Sequence, residues 1–196
     1  MRRAEEIRDT AERVLERLQA DRLPVRPADI LRRCRRTRIY TYTQAEDALE
    51  MDPAEIERIS GGADAFTLRF EEETESSYIV CYRERGNPAR LNFTLAHELG
   101  HIVLRHEGRS TAEEREADLF ASCLLCPDEA LDGLDHPTAD RLARLCYVSR
   151  ACAEQAVRRR EKDLPPKRKN SRLAKYIRAY VENGERHLLR WTNEKR

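Results

Sequence analysis

Aromatic side chains are scarce, at 6% of 196 residues with a single tryptophan, so the core has to be built from aliphatic side chains. No apolar run approaches the roughly 20 residues that cross a bilayer. The opening segment, MRRAEEIRDTAERV, lacks the apolar stretch of a secretory leader. These absences predict a cytoplasmic chain without a membrane partner. No segment repeats, so a repeat architecture is not expected. Six cysteines without a leader read as reduced thiols, because disulfides persist mainly in oxidising compartments.

An excess of charge of either sign is also missing from the total, which is +1, yet the charge is unevenly placed. Residues 158–196 hold 14 Lys plus Arg against 5 Asp plus Glu, or +9, leaving −8 for residues 1–157. An acidic body with a basic tail admits a nucleic-acid or acidic partner for the tail, or simply a solvated basic helix.

Periodicity outlines the elements. Ile7, Ala11, Val14, Leu15 and Leu18 share one face of a first helix over about 4–20. Pro27 opens a second, short helix through Cys34, and Ile39–Thr43 reads as a strand. Asp52-Pro53 starts one or two helical turns closed by Gly61-Gly62. Two strands follow, Ala65–Glu71 and Ser77–Tyr82, with a turn over Arg85–Pro88. Helices are expected over 92–105, 111–125, 138–146 and 149–160. Leu164-Pro165-Pro166 is the clearest linker. Beyond it Leu173, Tyr176, Ile177, Tyr180 and Val181 define an amphipathic helix stopped by Gly184. The expected division is therefore a main domain over 1–163 and a basic linker and helix over 164–196.

The chemistry-bearing stretch is His97-Glu98-Leu99-Gly100-His101. On a helix His97 and His101 lie one turn apart on one face, so both imidazoles reach one divalent ion. Glu98 is turned aside by about 100°, where it addresses a water rather than the metal. This is zinc-peptidase spacing. Two neutral imidazoles plus a carboxylate suit Zn2+.

The third ligand has to come from the next helix. Glu113 stands three residues after Ser110 and fits a Ser-x-x-Glu capping box. Glu114 and Asp118 are i and i+4 and border the apolar face of Ala117, Phe120, Ala121 and Leu124, while Glu116 points about 200° away from Glu114. Spacing orders Glu114 ahead of Glu116 without deciding between them. It also offers Asp118 as acceptor of the spare N–H of a ligand imidazole. His106 lies five residues past His101, with Leu104 where a metzincin needs glycine, so it does not complete that three-histidine pattern.

The stretch RLNFTLAHELGHIVLRH, followed by EREADLFASCLLCP, resembles the ImmA/IrrE family of bacterial metallo-endopeptidases. The resemblance implies an α+β, mostly helical, zincin-like (gluzincin-type) domain with a small sheet beside two metal-bearing helices. It also implies a zinc site on His97, His101 and, by motif position, Glu114, with Glu98 as the catalytic base. The implied substrate is a helix-turn-helix transcriptional repressor whose cleavage releases phage, mobile-element or stress genes. Cys126 stands where such chains often carry methionine, and the segment after Pro166 has no place in the motif.

A rival reading is a DNA- or protein-binding regulator with a vestigial site. The short turn at Tyr147-Val148-Ser149 has helix-turn-helix length, and Arg158–Arg160 are candidate phosphate contacts; the alternative is plain helix packing. Cys123 and Cys126 with Cys146 and Cys152 lack the spacing of a structural zinc knuckle, and buried thiols are the simpler account.

Overall fold

In a computed structural model of the chain the described residues are 2–19, 22–73, 75–134, 137–162 and 172–183. Helix α1, Arg2–Arg17, buries Ile7, Ala11 and Leu15, a spacing of four that keeps one stripe inward. Helix α2, Pro27–Arg33, has proline at its first position, where the missing N–H costs nothing. Strand β1 runs Thr37–Thr41, and helix α3, Tyr42–Ala48, follows at once. The strand expected through Thr43 therefore stops two residues early. A capping box stops it: the Gln44 N–H donates to the Thr41 hydroxyl and the Thr41 N–H donates to the Gln44 side chain, which satisfies two orphan donors and starts a helix.

Helix α4, Pro53–Ser60, is capped by Asp52 and closed by Gly61 at φ 57°, a left-handed position that glycine occupies without a Cβ penalty. Strands β2, Ala65–Glu71, and β3, Ser76–Tyr82, follow. Helix α5 is Pro88–Leu104, four residues longer at its start than the sequence predicts. Asn87 accepts from the N–H groups of Ala89 and Arg90, and Pro88 takes the first position, so the proline read as a turn is the helix start. Then come α6, Thr111–Leu125, α7, Asp128–Gly133, α8, Ala139–Cys146, α9, Arg150–Lys162, and α10, Arg172–Asn183. The six-residue α7 was not expected, being too short to show a period.

The fold is α+β, mostly helical, with a three-stranded mixed sheet ordered β1-β3-β2. β1 pairs parallel to β3 with Thr37 opposite Tyr78, and β2 pairs antiparallel with Thr67 opposite Val80. Residues 26–121 form one compact unit. Its sheet-side core joins Tyr42, Ala45, Ile56, Phe66 and Cys81, each large apolar side chain there contributing about 1.5–3 kcal/mol by leaving water. The Tyr42 hydroxyl, which burial would strand, donates to the Ala63 carbonyl at 2.8 Å.

The described residues of 1–25 and 122–196 form the second unit. There α8 packs on α9 and α10 on α7, with Leu173 and Ile177 of α10 buried. Arg159 donates to the Ser122 hydroxyl and the Cys126 carbonyl, and Arg160 pairs with Asp132, so both guanidiniums are held by the chain itself. All six cysteines are free thiols, and burial raises Cys123 to about 11. The division expected at residue 163, the Pro165-Pro166 linker, Gly184 and Trp191 lie outside the described residues. Among the described residues no helix is long and apolar enough to cross a membrane.

Candidate metal centre

Helix α5 carries His97, Glu98 and His101 because Leu95, Ala96 and Leu99 bury the same side of it. Its partner α6 comes close at Gly100, where a Cβ would stand 3.2 Å from the Ala117 Cα and 3.3 Å from the Ala117 carbonyl oxygen. A Cβ at that position would force Ala117 or Phe120 to give way by a few tenths of an ångström, so glycine allows the closer approach. The approach sets Glu114, one turn before Ala117, opposite the two histidines.

The three ligand atoms offered by His97, His101 and Glu114 lie within 4.8 Å of one another. His97 Nε2 and His101 Nε2 are 3.0 Å apart. Glu114 Oε2 is 3.2 Å from His97 Nε2, and its Oε1 is 3.5 Å from His101 Nε2. Glu116, two residues on, faces His106 Nε2 at 3.2 Å instead. Among the described residues this is the group of three or more potential ligands that converges on a point. Cys123, Cys126, Cys146 and Cys152 do not form one; Cys126 is hydrogen-bonded to Cys146 and buried, with its pKa well above the usual thiol value. His136 and His187 lie outside the described residues.

The donor set fits a divalent cation. The Asp118 carboxylate, which can only accept, lies 2.8 Å from His97 Nδ1, so that nitrogen donates and a neutral His97 turns its Nε2 lone pair toward His101. Burial favours the neutral form of His97, but the Asp118 hydrogen bond and the charges of Glu98, Asp118 and Glu114 outweigh it and raise the pKa. His101 goes the other way, to about 3, through burial first and then the neighbouring His97, Arg109 and His106. One imidazole is thus neutral and its neighbour faces three carboxylates. Glu114 Oε1 is buried without a hydrogen bond, with Arg109 Nη1 3.9 Å away, so a cation at the ligand point would give this acceptor a closer partner.

Glu98 is 2% exposed and stands outside the three converging ligands. The Thr67 hydroxyl on β2 donates to its Oε2 at 2.6 Å, and Arg109 donates to the same oxygen at 3.1 Å. Neither partner was legible from spacing, because Thr67 lies 31 residues before Glu98 and Arg109 sits in the turn between helices. That turn is braced by Glu113, whose carboxylate accepts from Glu107 N, Gly108 N, Ser110 N and the Ser110 hydroxyl. These bonds hold Glu113 down at about 2, and they realise the Ser110–Glu113 capping box.

Residues 57–158, just over half of the chain, match the family described as the IrrE N-terminal-like domain, Peptidase M78. The chain belongs to this family. The matched part of this IrrE N-terminal-like domain contains β2, β3, α5 and α6, and so every residue of the centre described above. Its function is metallopeptidase-like. No curated protein and no solved structure matches the chain.

Proposed function

We propose that this chain is a zinc-dependent endopeptidase whose substrate is a helix-turn-helix transcriptional repressor in the cytoplasm. The observation that carries the reading is the convergence of His97, His101 and Glu114 within 4.8 Å. Two imidazoles and one carboxylate are the donor set of catalytic zinc, which keeps one position open. When bound, the ion polarises a carbonyl and lowers the pKa of water to about 7.

The chain's own residues do the rest. His97 and His101 would hold the ion through Nε2 and Glu114 through its carboxylate. Glu98 takes a proton from the attacking water and delivers it to the leaving amine. Thr67 and Arg109 fix the Glu98 carboxylate in one orientation, and burial keeps bulk water from competing with it. The repressor substrate is supported by the ImmA/IrrE-like motif and not by the centre's geometry.

The test compares wild type and Glu98→Gln, both loaded with zinc, against a candidate repressor. Both are expected to bind one zinc, with Glu98→Gln slower in cleavage by roughly 10²–10⁴-fold. Undiminished cleavage by the variant removes Glu98 from the chemistry. Failure of wild type to bind zinc removes the metal reading and leaves a regulator that keeps only the fold.

A further inference from the structure

The two histidines of the centre are supported differently. His97 rests its outer nitrogen on Asp118, whereas His101 Nδ1 meets another ring nitrogen, His106 Nδ1, at 2.9 Å. On its far side His106 Nε2 lies 3.2 Å from Glu116 Oε2.

Proton placement along this row follows from the group at its end. A carboxylate only accepts, so His106 Nε2 carries a hydrogen toward Glu116. A neutral His106 then has a lone pair at Nδ1, and His101 Nδ1 must be the donor facing it. His101 Nε2 is left as a lone pair on the side of His97 and Glu114. The reverse order would set two acceptors against each other at Glu116 and turn an N–H toward the ligand point.

The backbone builds this row on purpose-fit geometry. Arg105 adopts φ 58° at the end of α5, and the chain turns back so that His106 N–H donates to the His101 carbonyl at 3.0 Å, a Schellman-type closure. The two rings meet edge to face with centroids 4.9 Å apart, and the His106 side chain is 4% exposed.

We propose that His106 and Glu116 act as a two-link positioning relay that holds His101 in the tautomer and orientation that bind the metal. The inference rests on His97, His101 and Glu114 being the metal site. Outer partners of this kind fix ring orientation and raise ligand basicity, and their loss weakens metal binding roughly 10–100-fold. The relay gives Glu116 a role distinct from that of Glu114, although both are carboxylates of one helix two residues apart.

The experiment measures zinc affinity of the folded full chain by competition with a chromophoric chelator, at a temperature below the melting transition of each metal-free variant. His106→Phe fills the space without a ring nitrogen and is expected to bind zinc roughly 10–100-fold more weakly than wild type. His106→Gln, whose side-chain oxygen can accept from His101 Nδ1, is expected to recover part of that loss. Glu116→Leu is expected to weaken binding on its own, and the pair with His106→Phe to be no weaker than His106→Phe alone, because the links are in series. Combining His106→Phe with Asp118→Ala is expected to multiply the losses, since these support different rings.

A role confined to bracing the turn would shift the melting temperature and leave affinity within about twofold of wild type; that result in His106→Phe overturns the relay. If His106→Phe does not fold, Glu116→Leu carries the same test with the same criterion. Tight zinc binding by wild type with unchanged binding in these variants rejects the relay alone. Equal, weak binding by wild type and His101→Ala rejects the metal site and the relay with it.

Discussion

Asp118 shows how much of this centre is decided one side chain at a time. Its carboxylate sits 2.8 Å from His97 Nδ1 and its side chain is 58% exposed, so replacing it disturbs little packing. Asp118→Ala is expected to lower zinc affinity roughly 10–100-fold through loss of the acceptor that sets the His97 tautomer. Asp118→Asn, which keeps an acceptor oxygen but not the charge, should fall between. Chelator competition on the two variants checks the order, and an Asp118→Ala protein with wild-type affinity sinks the role. Spacing on the helix pointed to Asp118 because it follows Glu114 by one turn. Thr67 and Arg109 were invisible to the same reasoning, since their distance from Glu98 in space has no counterpart in helical period.

At the scale of elements, the centre depends on how closely α5 and α6 approach. Gly100 is the contact: an added Cβ would press on Ala117 backbone atoms at 3.2 and 3.3 Å and on the Phe120 ring at 3.1 Å. Backbone cannot rotate out of the way as a side chain can. Gly100→Ala is therefore expected to cost about 1–3 kcal/mol by overpacking, exceeding the modest gain alanine brings to a helix interior. It should also weaken zinc binding, because Glu114 moves off with α6. A denaturant midpoint and a zinc titration on the same protein test this, and an unchanged value for both would mean the helices have slack.

Elements themselves were legible where the signal is local. The apolar periods of α1, α6, α8 and α9 and the alternation of β2 and β3 all appear in the residues. The start of α3 was missed because Tyr40 and Tyr42 alternate like a strand, although Thr41-x-x-Gln44 is a capping box in plain view. The start of α5 was missed because Asn87-Pro88 was read as a turn rather than a cap followed by a first helical residue.

For the molecule as a whole, an ion that binds only the folded chain adds to its stability by mass action. At free zinc a hundredfold above its dissociation constant the gain is about 2.7 kcal/mol. For a chain of this size that is a rise in melting temperature of roughly 5–10 °C. A chelator should reverse the rise in wild type and have no effect on His101→Ala, as scanning calorimetry can measure. A melting temperature indifferent to zinc in wild type contradicts a metal site at these residues.

What the amino-acid order determined alone is whatever one helix decides alone. A period of 3.6 residues places His97 and His101 on one face and Glu98 off it, whatever surrounds them. The choice between Glu114 and Glu116 is of another kind, because it depends on the rotation and distance of α6 relative to α5. Those are set by the contact at Gly100 and by the turn braced at Glu113, not by the period of either helix. The parallel pairing of β1 with β3, the Thr67 bond to Glu98 and the row from His101 to Glu116 likewise join residues through packing. Only the tertiary structure decides such contacts, because their energy lies between elements.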